Sequence, residues 1–403
     1  MGLRRSGLVV LLALVGAVLA STAAAARSPR TVTCNGHWQP VQSNDHSTQS
    51  GEIDSLNAVT ALSSSEQWAV GSWEQYPNAY EFHTLIEHWN PTFGAWTIVP
   101  SPNAAELNNY LYGVSARSSD DVWAVGGSDQ GGSPYTTLVE HWDGNSWSIV
   151  PEASVTGVLF SVVEIGPNDI WAVGAEDFPG LALIEHWDGT SWTALELPFG
   201  GVMRGVTAVA PNDVWAVGQE YGSDIHGDTT VTMHYDGSTW SQVASPNPLT
   251  DNPEDQNWLT SVVAVGANDV WAVGRYGDHD GGPLDQTLVE HWNGSAWSVV
   301  KSPSPGGASS DDDLWGVAAV GPNDVWAVGG VGSFLDPQFS WPLIVRWNGS
   351  YWSEISPSTF APGELLGVAA EPGGTGVSAV GDRIKAAVPY GYIGTLAEHV
   401  CPG

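Results

Sequence analysis

Short apolar runs separated by turn residues recur along the chain, and the pattern is clearest between residues 314 and 357. Leu314–Val320, Val325–Gly329, Pro342–Trp347 and Tyr351–Ile355 are each short, apolar and rich in β-prone residues, which predicts four strands. Gly-Pro-Asn-Asp separates the first two runs and Asn-Gly the last two, and both sequences favour tight turns. The pattern therefore predicts a four-stranded antiparallel meander.

The second predicted strand carries the motif Asp-Val-Trp-Ala-Val-Gly, which returns through the chain. With its looser copies the motif occurs seven times, at 66–71, 121–126, 169–174, 213–218, 269–274, 324–329 and 376–381. Such a period indicates one supersecondary unit repeated in tandem. We predict an all-β fold, a seven-bladed β-propeller of four antiparallel strands per blade spanning 27–403, because stacking sheets around an axis buries both faces of each. The repeats lie near 54–100, 110–151, 157–198, 202–245, 258–301, 313–356 and 364–401, the last completed by residues 34–42.

The last repeat lacks a fourth strand, because the chain stops soon after the predicted third strand at Leu396–Val400. Asn35–Val41 resembles the fourth strand of the other repeats, so the N-terminal strand is expected to close the last blade. Cys34 and Cys401 flank this break, and such a pair in an exported protein indicates a disulfide. We expect that disulfide to lock the ring.

Residues 1–26 have the features of a secretory signal peptide. Arg4 and Arg5 precede the apolar run Leu8–Ala20, and Ala24–Ala26 offers a small-residue cleavage site. The apolar run is too short to span a bilayer, and no later segment approaches ~20 apolar residues. The mature protein is therefore predicted to be secreted, without membrane insertion.

The mature chain is strongly acidic. Without Arg4 and Arg5, 9 of the 11 basic residues remain against 44 acidic ones, a net charge of −35. This charge argues against nucleic acid and anionic membranes as partners and suits a soluble protein, cationic ligands or metal ions. We expect a monomer.

The order of the signals in each repeat resembles the kelch repeat, in which a glycine pair precedes an aromatic residue and then a tryptophan. Gly126-Gly127, Trp142 and Trp147 follow that order, as do Gly329-Gly330, Trp347 and Trp352. The chain is also similar to a group of secreted bacterial proteins with VWAVG and EHWDGxxW repeats. The resemblance implies a kelch-like propeller but no activity. The related galactose-oxidase branch uses copper and a Tyr–Cys cross-link, whereas both cysteines here are assigned to ring closure.

The connections between strands differ in variability. The turns after first and third strands are short and nearly constant, whereas the others are long and different in each repeat, at 72–84, 127–137, 219–231, 250–257, 275–287, 302–313, 330–341 and 382–395. Variable loops on a rigid scaffold usually carry binding, so we predict that the functional surface lies on their face.

One position near that face is different in each repeat. It follows the leading Leu or Met of the first strand and holds Asn57, Tyr112, Phe160, Arg204, Thr260, Trp315 and Leu366. The first strand of a propeller is innermost, so these residues are predicted to ring the channel mouth and to suit a polar, ring-shaped ligand. Ordinary packing between blades is the alternative.

Tryptophan is abundant, and most copies follow the repeat. Of the 22 Trp residues, 18 occupy repeated strand positions and are assigned to the core. The four outside the pattern are Trp73, Trp258, Trp315 and Trp341. Because these four could stack on a sugar ring, Trp341 joins the ligand-binding candidates.

Two groups of residues raise the question of metal. Asp278, Asp280 and Asp285 lie around a glycine turn and offer oxygen ligands for Ca²⁺, and no other cofactor is predicted. Histidine occupies one repeated third-strand position, at 88, 141, 186, 234, 291 and 399. Neighbouring blades are ~10 Å apart, too far for these histidines to share one ion. We expect instead that the preceding Glu of one blade bonds the His of the next.

These observations favour a non-catalytic, exported binding protein that recognises a glycan or a protein through the variable-loop face. The first alternative is a polysaccharide-active hydrolase or lyase that uses loop-face carboxylates, and the second is a structural repeat protein. No nucleophile, zinc or phosphate-loop motif occurs, so no catalytic residue is assigned.

Overall fold

The computed structural model describes residues 36–46, 53–74, 81–132, 134–151, 153, 155–177, 180–223, 227–250, 252–278, 284–307, 310–332, 340–358, 362–374, 376–384 and 393–400. These residues form 27 strands in several sheets, which confirms the predicted all-β class. The predicted signal peptide and both cysteines of the predicted disulfide lie outside the described residues. Within them, no helix has the length and apolar character needed to cross a bilayer.

Strands adjacent in sequence pair antiparallel in repeated units of four. The short N-terminal strand is β1 (Gln39–Pro40). It is followed by β2 (Asp54–Ser63), β3 (Glu66–Glu74), β4 (Phe82–Asn90) and β5 (Ala95–Ile98), then β6 (Asn108–Ser118), β7 (Asp121–Asp129), β8 (Thr136–Trp142) and β9 (Trp147–Ile149), then β10 (Gly157–Gly166), β11 (Asp169–Glu176), β12 (Leu181–Trp187) and β13 (Trp192–Ala210).

The second half of the chain continues the same order. It contains β14 (Asp213–Glu220), β15 (Thr229–Tyr235) and β16 (Trp240–Val243), then β17 (Asp255–Gly266), β18 (Asp269–Asp278), β19 (Gln286–Trp292) and β20 (Trp297–Val299), then β21 (Asp311–Gly321), β22 (Asp324–Gly332), β23 (Trp341–Trp347) and β24 (Trp352–Glu354), then β25 (Gly363–Ala370), β26 (Val377–Ile384) and β27 (Ile393–Val400). β13 serves two units, because its residues up to Gly200 pair with β12 and those from Gly201 onward pair with β14.

The hairpins between third and fourth strands form as the sequence predicted. Gly144 and Gly349 have φ angles of 91° and 89°, which glycine adopts without strain. The Asx residue before each glycine caps the turn: Asp143 Oδ1 accepts the backbone N–H groups of Asn145 and Ser146, both at 2.9 Å. These local interactions set the register of the outer two strands.

The core lies between successive units and is built around tryptophan. Trp123 of β7 packs against Trp187 and Trp192 of the next unit, with ring centroids 5.5 and 5.9 Å apart. Five of the 18 tryptophans assigned to the core are half-buried and pack against its edge: Trp142, Trp187, Trp240, Trp292 and Trp347.

The two ends of the chain meet in one sheet. β1 pairs with β27 through Gln39 opposite His399 and Pro40 opposite Glu398, so the N-terminal segment completes the last unit as predicted. Trp38 also packs edge-on against Trp326 at 5.5 Å, the contact that other fourth-strand tryptophans make. The first strands β2, β6, β10, β13, β17, β21 and β25 each pack against the next, and β25 also packs against β2.

The predicted bond between His and the Glu of a neighbouring blade is wrong. His141 Nε2 lies 2.8 Å from Oδ1 of Asp121, which begins the second strand of the same unit. The reason is register: His141 pairs with Trp123, and Asp121 lies two residues before Trp123 on the same face. The same pairing with the aspartate that begins the second strand occurs at 186, 234 and 291, and Glu66 takes the place of the aspartate for His88. His399 instead bonds Glu371, which follows the first strand, and Arg346 replaces the histidine opposite Asp324.

The buried glutamates face the opposite side and reach the preceding unit instead. Ser43 Oγ donates to Glu87 and Ser245 Oγ donates to Glu290, each at 2.6 Å. Both serines follow the fourth strand of the preceding unit, so these carboxyls do link units, although not through histidine. Within the described residues, neither oxygen of Glu140 has a hydrogen-bond partner.

The His–Asp pairs predict a modest, local contribution to stability. Asp213→Ala should lower the free energy of unfolding by about 1 kcal/mol, because His234 loses its 2.9 Å partner. Arg346→His should be nearly neutral, since other units already hold histidine there. Urea denaturation followed by tryptophan fluorescence measures both. Equal stability of wild type and Asp213→Ala would show that the pair is incidental.

Candidate functional site

A β-bulge follows the leading Leu or Met of every first strand. The pairing register shifts, for example, between Leu111 and Gly113 and between Met203 and Gly205, which leaves one residue without a partner on the second strand. The residues left out are the seven predicted ring positions, Asn57, Tyr112, Phe160, Arg204, Thr260, Trp315 and Leu366. Bulges re-aim side chains and occur often beside functional sites.

The glycine that ends the repeated motif makes room for the bulge. A Cβ on Gly126 would overlap the carbonyl oxygen of Tyr110 and lie 2.9 Å from Leu111 Cα. The residue after the bulge is also constrained, because a Cβ on Gly113 would lie 2.9 Å from Ser161 Cα in the next unit. The repeated Gly and small residues therefore serve the geometry that presents the variable side chains.

Three of the predicted residues form a continuous contact. The rings of Tyr112 and Phe160 have centroids 5.3 Å apart. The Arg204 guanidinium carbon lies 5.3 Å from the Phe160 centroid and 5.6 Å from that of Trp258, distances typical of cation–π contacts. Side chains from four neighbouring units thus touch in sequence.

The contact continues through Trp315 and through three residues that the sequence did not assign to the ring, Trp258, Arg275 and Glu364. Arg275 lies 4.1 Å from the Trp258 centroid and 5.6 Å from that of Trp315. Trp315 Nε1 then donates to Glu364 Oε2 at 3.1 Å. We name the whole set the belt; it consists of Tyr112, Phe160, Arg204, Trp258, Arg275, Trp315 and Glu364.

A sequence signal for the missed residues exists. Trp258 and Glu364 come directly before the leading Leu, and Arg275 comes directly after the motif glycine. Both positions vary from repeat to repeat, as the bulged position does. A search for variable positions next to the leading Leu and the motif Gly would therefore have predicted Trp258, Arg275 and Glu364 as well.

Arg275 of the belt lies among several buried acids, most of which are outside the belt. Arg275 Nη1 lies 3.1 Å from Asp313 Oδ1 and 3.3 Å from Asp285 Oδ2. Burial raises the pKa of Asp313 to about 7, although the charge of Arg275 opposes the shift. Burial and the nearby Glu364 carboxyl raise the pKa of Asp382 to about 7. Part of this acidic cluster therefore holds protons near neutral pH.

Arg204 has a different electrostatic environment. Burial and repulsion by Arg275 lower the pKa of Arg204 to about 10, so the guanidinium remains cationic at neutral pH. Its Nε donates to Gln219 Oε1 at 3.1 Å. Gln219 also follows a motif glycine, the position that Arg275 occupies in the next unit.

Other predicted site residues are placed differently. Asn57 Nδ2 donates to Leu111 O at 2.8 Å, and Thr260 Oγ1 donates to Leu314 O at 2.5 Å. These two bulged residues therefore tie adjacent units together, which supports the packing alternative at their positions. Leu366 is half-buried. Trp341 is 45% exposed at the start of β23 and takes no part in the ring contacts among the described belt residues.

The acidic loop proposed for Ca²⁺ is only partly described, and Asp280 lies outside the described residues. Asp285 is buried against Arg275, and Asp278 Oδ1 accepts from Asn252 Nδ2 at 3.3 Å. Within the described ranges, no three His, Cys, Asp or Glu side chains cluster as metal ligands. The calcium site stays a prediction.

Comparison with known proteins identifies the fold. No protein-family model and no curated protein matches the chain. The structure "YCF48 bound to D1 peptide" matches with a TM-score of 0.54 and 15% identity over 93% of this chain and 97% of that one. YCF48 from Cyanidioschyzon merolae matches with 0.53 and 14% over 90% and 98%. The β-propeller domain of Cps50 (Swd1) from Myceliophteria thermophila has a TM-score of 0.49 at 8% identity over 90% and 98%.

The YCF48 matches, taken with the repeated four-stranded units, show that the chain has a β-propeller fold. At such low identities the likeness shows the fold alone. The kelch-like resemblance stays a prediction.

Proposed function

We propose that this chain is a secreted, seven-bladed β-propeller that binds an extracellular ligand, a glycan or a protein, at the belt without converting it. The strand pairing supports seven blades: β2–β5, β6–β9, β10–β13, β13–β16, β17–β20, β21–β24, and β25–β27 with β1. The packing of β25 against both β21 and β2 supports closure of the ring. Secretion is inferred from the sequence of residues 1–26.

The belt is the observation that carries the binding function. Aromatic and guanidinium groups from five successive blades touch one another, and Trp315 donates to the Glu364 carboxyl of a sixth. The same bulged position carries small polar groups where it ties blades together, at Asn57 and Thr260. Packing between blades alone does not require large rings or charges at the other bulged positions. Their half-buried aromatic faces suit stacking on a sugar or a peptide side chain.

A protein partner has additional support. One structure similar to this chain is YCF48 with a bound D1 peptide, a propeller of the same fold that binds a peptide. The likeness supports peptide binding as a use of this architecture and says nothing of the peptide that this chain would take.

A polysaccharide-active hydrolase or lyase is the second candidate, because one specific observation favours it. Asp313 and Asp382 have pKa values raised to about 7 by burial, and Glu364 pairs with Asp382 on the neighbouring strand. A general acid works best when its pKa lies near the working pH. These carboxyls lie beside the belt, so a substrate bound there would meet them.

Phe160→Ala tests the binding function. We expect it to weaken binding of whichever ligand emerges from glycan-array and peptide-library screens by about tenfold, because the ring contacts both Tyr112 and Arg204. The matched control is Phe93→Ala in the β4–β5 turn, where the ring is 52% exposed and outside the belt. Phe93→Ala should bind as wild type does.

The same screen decides between binding and catalysis. Release of reducing ends from a bound polysaccharide, abolished by Asp313→Asn, would establish the enzyme. Binding that Phe160→Ala leaves unchanged would contradict the belt as the site. Thermal melting of each variant shows whether the fold is intact.

A further inference from the structure

Arg204 is a cation without an anionic partner among the described residues. Its polar contact is the 3.1 Å bond from Nε to Gln219, and its plane rests near Phe160 and Trp258. Arg117, Arg275 and Arg346 each lie within 4.0 Å of at least one carboxylate. In a chain with 44 acidic and 11 basic residues, Arg204 places a guanidinium without a carboxylate partner among the described residues at the proposed binding site.

The ends of the Arg204 side chain are free to bind. Nη1 and Nη2 carry four N–H donors, and in the described part of the chain no acceptor lies within hydrogen-bond distance of them. The contact with Gln219 and the two aromatic rings hold the guanidinium plane in place. A fixed planar guanidinium matches a carboxylate through two parallel N–H···O bonds.

We propose that Arg204 binds a carboxylate group of the ligand, while Phe160 and Trp258 contact the flat or apolar body that carries it. This inference rests on the proposed binding function of the belt. A single carboxylate is favoured over a dianionic phosphate or a polyanionic chain, because the net charge of the mature chain, 9 basic against 44 acidic residues or −35, repels further negative charge. The carboxylate can belong to an acidic sugar or to an amino acid, since the recognised chemistry is the same.

Matched pairs of small probes test the proposal on the wild-type protein. D-glucuronate is compared with D-glucose, and N-acetyl-tryptophan with N-acetyl-tryptophan amide, by saturation-transfer NMR titration. In at least one pair, the carboxylate should bind about tenfold more tightly than its neutral counterpart. The preference should shrink as salt is added, because screening weakens the ion pair.

Variants then assign the preference to one residue. Arg204→Gln should abolish it, and Arg204→Lys should retain part of it because the charge remains. Arg117→Gln is the matched control, since Arg117 pairs with Asp121 and Glu164 outside the belt. It should leave the preference unchanged.

The outcomes separate this proposal from the binding function on which it rests. A preference in the sugar pair alone supports an acidic sugar, and one in the tryptophan pair alone supports a peptide carboxylate.

Equal binding of both members of each pair, still weakened by Phe160→Ala, overturns the anion proposal and leaves the belt as a binding site. A preference for the carboxylate that survives Arg204→Gln also overturns the anion proposal. No binding to any probe or library member overturns both the anion proposal and the binding function of the belt. If Arg204→Gln fails to fold, the wild-type probe pairs and their salt dependence decide whether the ligand carboxylate is recognised.

Discussion

Gly126→Ala will lower the free energy of unfolding by about 3 kcal/mol, at the upper end for overpacking a tight site. The added Cβ would overlap the Tyr110 carbonyl oxygen and lie 2.9 Å from Leu111 Cα. Both atoms are main chain in a paired strand, so neither can move without disturbing the bulge at Tyr112. Urea denaturation monitored by tryptophan fluorescence measures the change.

Gly321→Ala is the control for this substitution. Gly321 ends β21, and a Cβ there would meet no heavy atom within 4 Å, so its effect should stay within about 0.5 kcal/mol. Gly218→Ala extends the test to the belt, because its Cβ would overlap the Val202 carbonyl oxygen just before the bulge at Arg204. If Gly126→Ala and Gly321→Ala are equally stable, the motif glycine is not required by the bulge.

Stability will fall as the pH rises from about 5 to 8. Burial raises the pKa of Glu140 from 4.5 to about 8, and Glu87 and Glu290 are shifted to about 8 chiefly by burial as well. Between these two values the folded protein keeps a proton that the unfolded chain has released. Each such group therefore favours unfolding by up to about 1.4 kcal/mol per pH unit. Below pH 4.5 both states are protonated and the dependence from these groups ends.

Glu140→Gln isolates one of these groups. The amide stays neutral, so the variant should gain stability relative to wild type progressively from pH 5 to 8. Glu140 is the best choice because neither of its oxygens has a partner among the described residues. Glu106→Gln, at an exposed position, should show no such trend. A constant difference between Glu140→Gln and wild type across this pH range would show that Glu140 does not titrate as its burial demands.

The site was partly predictable because the repeat makes variation visible. The residue between a leading Leu or Met and a small residue, as between Leu111 and Gly113 or between Met203 and Gly205, changes in every repeat and marks a position that packing does not dictate. That reasoning found Tyr112, Phe160, Arg204 and Trp315. It did not separate them from Asn57 and Thr260, which bond the neighbouring unit, because the partner in each case is a main-chain carbonyl with no sequence signal.

The periodicity of the third strand did not predict which side chains form hydrogen bonds with each other. The alternation of Glu and His along the third strand indicated opposite faces correctly. It could not show that His141 meets Asp121, because that depends on the register between β7 and β8. The glutamates likewise meet Ser43 and Ser245, residues far away in sequence that only the packing of units brings close.

The all-β class, the four-stranded unit, its turns and the pairing of the N-terminal strand with the last unit could all be predicted from the order of residues along the chain. These follow from interactions within a few residues, such as the apolar runs and the Asx-Gly hairpins, repeated often enough to be unmistakable. The packing of the sheets was needed to show that Trp258, Arg275 and Glu364 join the belt and that Arg204 lacks a carboxylate partner among the described residues. It was also needed to show that Glu140 is buried with no hydrogen-bond partner among those residues. These features depend on contacts between units, which join residues many positions apart in the chain.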